Sequence, residues 1–134
     1  QGVSSAASDV YKRQIYILDL VCRWISDRMG GLQGMARHNA SKARLLYDTL
    51  DQSGGFYAGH ARPECRSDMN VTFRLPDEAT EKAFVAGAVK RGLMDLKGHR
   101  SVGGIRASIY NAMPLAGVEA LRDFMTDFQR EHQD

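Results

Sequence analysis

Residues 96–125 read LKGHRSVGGIRASIYNAMPLAGVEALRDFM, and the fold turns on how this stretch is divided. Ile105, Ala107 and Ile109 alternate with Arg106, Ser108 and Tyr110, the period of a half-buried strand. Asn111 to Pro114 reads as a turn. Val118, Leu121, Met125 and Phe128 then recur at helical spacing, which predicts a helix from about Leu115 to His132. On the other side, Gly98 and Gly103-Gly104 bracket a loop that carries His99 and Arg100. A short strand is expected at Leu93–Leu96, close enough to pair antiparallel with the strand at 105–110.

Working outward, Met69, Val71, Phe73 and Leu75 alternate with Asn70, Thr72 and Arg74 and predict a second half-buried strand. Pro76-Asp77 ends it, and Asp77 suits the N-cap of a helix over about Glu78 to Arg91, with Ala83, Phe84, Ala88 and Val89 inward. Residues 56–68 read as a short strand plus loop. A helix from about Leu32 to Leu50 places Met35, Asn39, Ala43, Leu46 and Leu50 on one face, with Lys42 and Arg44 off it. Before it, Ile15, Leu18, Val21, Cys22 and Ile25 mark the buried face of a helix that Gly30-Gly31 stops. Residues 1–14 show no apolar period and read as a disordered tail. The order α-α-β-α-β-β-α predicts an α/β (α+β) fold, a small, mostly antiparallel sheet with helices packed on it.

Composition narrows the function. At 134 residues, 43% hydrophobic and 25% charged, the chain has the balance of one globular domain. A net charge of +2, with no basic stripe interleaved with aromatics, argues against nucleic acid as a partner. The apolar stretch IYILDLVCRWI at 15–25 is broken by Asp19 and Arg23, too short and too charged to span a membrane. Cys22 and Cys65 make neither a disulfide framework nor a metal spacing, which fits a reducing, cytoplasmic setting. Cys22, on its helix face, is expected in the core. The chain opens on Gln1, so it is expected to be part of a larger reading frame.

Candidate chemistry concentrates at 97–110. Arg106 stands in a short apolar strand just after two glycines, and its guanidinium is a planar fork for a carboxylate or phosphate. An ion pair with one of the sixteen acids of the chain is the competing reading. His99 and Arg100, next to Gly98, can contact an anion together or form an exposed basic turn. Taken together, His99, Arg100 and Arg106 could converge on a dianion plus a carboxylate. His38 and His60 are isolated, so no metal site is expected. Gly103-Gly104 is no dinucleotide fingerprint, since no helix follows within the required unit.

The segment GHRSVGGIRASIYNA closely resembles the C-terminal part of the phosphoserine aminotransferase family, a class V group of pyridoxal-phosphate enzymes of fold type I. SDMNVTFRL at 67–75 resembles the strand that opens that family's small-domain sheet, and IYILDLVCRWISDRMGGLQGM at 15–35 resembles its connecting helix. The likeness runs in order from Ile15 to about His132 and identifies residues 15–134 as an aminotransferase small domain with its leading helix. It implies transfer of an amino group from glutamate to 3-phosphohydroxypyruvate, giving phosphoserine and 2-oxoglutarate. It implies cytoplasmic homodimers acting in serine and, in many bacteria, pyridoxine biosynthesis. By position, Arg106 matches the arginine that holds the substrate α-carboxylate. His99 and Arg100 match the pair that holds the substrate phosphate or the glutamate side-chain carboxylate. The family's Schiff-base lysine, ring-stacking aromatic and pyridine-pairing acid lie upstream of this stretch. Lys42, Lys82, Lys90 and Lys97 do not fit the lysine's motif, so no catalytic or cofactor-binding residue is expected here, and the pyridoxal phosphate belongs to the full-length enzyme. A family stretch like Asn-Thr-Pro-Pro-Thr is replaced by Asp9–Gln14, which implies that residues 1–14 are a non-native tail. The other reading is a stand-alone anion-binding or dimerisation module without catalysis.

Overall fold

The computed structural model describes residues 5–133. Four helices and three short strands follow in the order α1 (Ser5–Arg28), α2 (Gly31–Gln52), β1 (Ala58–Gly59), β2 (Asn70–Arg74), α3 (Glu78–Lys90), β3 (Ile105–Ser108) and α4 (Leu115–His132), with a 3-10 turn at Pro63–Cys65 before β2. They fall into two compact units, one ending at Arg37 and one starting at His38.

The first unit departs from expectation twice. Ser5 to Gln14 lie inside α1 and not in a disordered tail. No glycine or proline interrupts them, and Asp9 and Lys12 pair at 3.6 Å one turn apart. Residues 1–4 of the expected tail lie outside the described residues. The face of Ile15, Leu18, Val21 and Cys22 is exposed in this chain, with Ile15 at 68% and Leu18 at 63%, so the expected burial of that face and of Cys22 does not occur. Helical spacing reports that a face is apolar and says nothing of what covers it.

In the second unit the strand order is β1-β2-β3, antiparallel throughout, with Val71 opposite Ala107 and Thr72 opposite Arg106. The odd-numbered residues from Val71 to Leu75 and Ile105 to Ile109 enter the core, as their alternation predicts. Against them pack Leu46 and Leu50 of α2, Phe84 and Ala88 of α3, and Phe124, Met125 and Phe128 of α4. Phe84 is the hub of an aromatic cluster, its ring centroid 4.9 Å from Phe124, 5.1 Å from Phe128, 5.8 Å from Phe73 and 6.0 Å from Tyr57. Asp77 caps α3 by accepting the Thr80 N–H at 2.9 Å.

Three expectations of inward-facing or paired residues need correction here. Leu93–Leu96 form no strand. Asp95 adopts a positive φ of 59°, which an extended ladder excludes, and only Lys97 bridges to Ile105. The partner of β3 is therefore β2. On α3, Glu81 joins Phe84 and Ala88 inside, while Ala83 and Val89 face out. Lys42 does not lie off the buried face of α2. It is fully buried, and its ammonium donates to the carbonyls of Ile109 at 3.0 Å, Tyr110 at 2.7 Å and Met113 at 3.1 Å. Burial pulls its pKa below the ordinary lysine value.

Candidate functional site

Arg106 sits in the middle of β3 on the face turned away from the core, with Thr72 across from it. Its backbone N–H donates to the Leu96 carbonyl at 2.8 Å, which fixes the strand against the 93–97 segment. The side chain borders a groove of about 550 Å³, together with Met94, Asp95, Ser108, Met113 and Gly117. The Nε of Arg106 is buried and has no hydrogen-bond partner, and among the described residues the guanidinium makes no ion pair. The competing reading from sequence, a partner acid within the chain, is not what the structure holds. A buried N–H without an acceptor is costly, and a ligand carboxylate would supply two acceptors in the matching plane.

His99 and Arg100 lie on a separate groove of about 780 Å³, between the 97–104 loop and α3, which contributes Glu78, Glu81 and Lys82. The structure thus brings His99 and Arg100 together and places Arg106 on a different groove. The loop is closed on itself. The Gly98 N–H donates to the Gly104 carbonyl at 2.8 Å, and the N–H groups of Val102 and Gly103 donate to the His99 carbonyl at 2.9 and 2.8 Å. Gly98 is obligatory here, since a Cβ would stand 2.1 Å from the Gly103 oxygen. His99 Nδ1 accepts the Ser101 N–H at 3.3 Å and lies 2.7 Å from Ser101 Oγ. With Nδ1 occupied as an acceptor, the ring proton belongs on Nε2, a donor free for an anion.

An ion pair beside this groove, Arg74 with Glu81, carries no mark in the sequence pattern. Arg74, at the end of β2, donates from Nε to Glu81 at 2.6 Å and from Nη1 to the Val102 carbonyl at 3.0 Å. Glu81 is nearly buried, with its side chain 10% exposed. The alternation marks Arg74 only as an outward strand position, and the helical period gives Glu81 no role.

Neither groove is lined by a buried lysine suited to a pyridoxal-phosphate Schiff base. The ammonium of Lys42 is spent on three carbonyls. Lys82 and Lys97 are exposed on the rim of the second groove, where the only ring is His99. The first groove is lined by neither a lysine nor an aromatic ring. Among the described residues, no cluster of three His, Cys, Asp or Glu suits a metal ion.

The family profile for aminotransferase class V matches residues 12–121. The chain belongs to the class V aminotransferase family. Within it, a phosphoserine aminotransferase of Lysinibacillus sphaericus is 55% identical over 119 residues, which are 89% of this chain and 33% of that protein. One of Acidithiobacillus ferrooxidans is 57% identical over 118 residues, 88% of this chain and 32% of that protein. Among solved structures, phosphoserine aminotransferase from Bacillus circulans subsp. alkalophilus superposes with a TM-score of 0.85 at 52% identity, covering 88% of this chain and 32% of that one. The PLP-bound phosphoserine aminotransferase of Trichomonas vaginalis gives 0.72 at 40% identity, covering 78% and 30%. This class V chain therefore spans about a third of the length of the relatives it matches. Its sheet and helices are those of the aminotransferase fold.

Proposed function

We propose that this chain is the substrate-clamping part of a phosphoserine aminotransferase. In the full-length enzyme it would serve the transfer of an amino group from glutamate to 3-phosphohydroxypyruvate, with pyridoxal phosphate supplying the electron sink from residues outside this chain. Arg106 binds the substrate α-carboxylate as a fork, and His99 with Arg100 binds the phosphate or the glutamate side-chain carboxylate. The chain's own contribution is to bind and orient, with no proton transfer. Arg106 and the His99–Arg100 pair lie on separate grooves of this chain, so the two anionic ends would be held together only in the full-length enzyme, where holding both would fix the reacting carbon. The observation that carries this reading is the unpartnered, buried Nε of Arg106 beside an open groove.

The setting proposed is a cytoplasmic homodimer in serine biosynthesis, with a share in pyridoxine biosynthesis. The free thiols of Cys22 and Cys65 support a reducing compartment. No helix among the described residues is long and apolar enough to cross a membrane.

Calorimetric titration of the 134-residue chain with O-phosphoserine tests the clamp. Millimolar or tighter binding is expected, weakened at least about tenfold in Arg106→Ala, in line with loss of a charge-assisted bond. Equal binding by wild type and variant would remove Arg106 from the clamp. The chain alone is expected to show no turnover with glutamate and 3-phosphohydroxypyruvate, and turnover by the pure protein would overturn the division of labour.

A further inference from the structure

We propose that Arg74 is the positioning residue of the His99–Arg100 groove, fixing the loop that presents both side chains and cancelling the Glu81 carboxylate that lines the same groove. The inference rests on the anion-binding reading of that groove and adds to it the residue on which its geometry depends.

The loop from Gly98 to Gly104 contains no regular element. Its internal bonds close it into a ring, yet they do not tie it to the sheet. Arg74 does so at its far side, where Nη1 donates to the Val102 carbonyl at 3.0 Å. Gly103 and Gly104 lie against the same side chain, both at positive φ (75° and 70°). A Cβ on Gly104 would meet Arg74 Cδ at 2.6 Å and the Phe73 carbonyl at 2.7 Å. The guanidinium is held in turn by the Glu81 carboxylate, 2.6 Å from Nε and anchored on α3. A chain of contacts therefore runs from α3 through β2 to the loop. Arginine suits this place because Nε and Nη1, two separate nitrogens of one rigid fork, reach the carboxylate and the carbonyl in different directions, whereas lysine's donors all sit on one atom.

The charge argument is independent of the geometry. Glu81 borders the groove that His99 and Arg100 line. A nearly buried carboxylate there opposes a phosphate dianion unless a cation pairs with it, and Arg74 is that cation.

The test uses the 134-residue chain, with inorganic phosphate as probe and amide hydrogen exchange as a second readout. In Arg74→Met, exchange at Gly98, Val102 and Gly103 is expected to quicken roughly tenfold or more, while core amides keep their protection. Phosphate affinity is expected to fall by a similar factor, about tenfold. In the double variant Arg74→Met with Glu81→Gln, affinity is expected to recover in part while the loop amides stay fast. Unchanged loop exchange in Arg74→Met would overturn the positioning role, and no recovery in the double variant would overturn the charge role. If the wild type fails to bind phosphate, the anion reading of the groove falls, and the exchange data alone decide whether Arg74 holds the loop. If Arg74→Met does not fold, Arg74→Lys, which keeps the stem and the charge, takes its place in the exchange measurement with the same expected loss.

Discussion

The ammonium of Lys42 donates at 2.7 Å to the carbonyl oxygen of Tyr110, a residue 68 positions away in the chain. With the bonds to Ile109 and Met113, this gathers the turn that leaves β3 onto α2. Arg106 lies three residues before the first of these carbonyls, so the strand that presents it is pinned at its outgoing end by a buried cation.

Replacing that cation with an apolar chain of similar length should therefore destabilise the protein and not merely uncharge it. Lys42→Met is expected to cost about 1–3 kcal/mol for each carbonyl that water does not reach. Urea unfolding measures the loss. A variant as stable as wild type would show that the three bonds do not outweigh the cost of burying the charge.

Phe84 contacts four aromatic rings, Tyr57 just before β1, Phe73 within β2, and Phe124 and Phe128 of α4, and is fully buried. Phe84→Ala should leave a cavity in the middle of the cluster and cost about 3–5 kcal/mol. Phe84→Leu, closer in volume, should cost less. Equal losses for the two would mean that ring geometry, and not the void, sets the penalty.

Acid should weaken the 51–66 contact only at low pH, below the ordinary aspartate range. Arg66 donates to both carboxylate oxygens of Asp51, at 2.7 and 2.5 Å, and these hydrogen bonds hold the Asp51 carboxyl below the usual aspartate value. A carboxylate with a depressed folded-state pKa contributes stability above its unfolded pKa and loses it as pH falls through the folded value. Asp51→Asn should thus lower stability slightly at a pH of about 7 and less at a pH low enough to protonate the native carboxyl. The effect is small because the Asp51 side chain is half exposed. A stability deficit of the same size at both values would rule the charge out as its source.

The apolar side chains along α1 should make the isolated chain associate. Ile15, Leu18 and Leu20 are all largely exposed, a run that monomeric proteins seldom leave uncovered. Sedimentation velocity is expected to show mass rising with concentration, and Leu18→Glu to suppress it. A clean monomer at high concentration would contradict the expectation.

What the sequence made legible follows from the range of each signal. The alternation of Ile105, Ala107 and Ile109 with Arg106 is local, and the strand and its outward arginine stand where that pattern puts them. Asp77 as a cap is equally local. Lys42 was not legible, because its partners are backbone carbonyls more than sixty residues away, and carbonyls carry no side-chain identity. Arg74 escaped for the same reason, since Val102 enters only through its oxygen. The expected strand at Leu93–Leu96 failed at Asp95, whose positive φ no apolar count reports. The GHR and GG.RAS motifs gave the family, while the separation of their cations onto two grooves needed the fold.

The loop between Gly98 and Gly104 closes its backbone bonds on itself and is held at its far side by the Arg74 guanidinium, and none of its residues belongs to the hydrophobic core cluster. It behaves as a replaceable cassette. Residues 99 to 101 can change identity without repacking any ring, so the ligand preference of this groove is free to drift while the thermodynamic foundation of the domain stays constant. The glycines and Arg74 are the fittings that any such exchange has to keep.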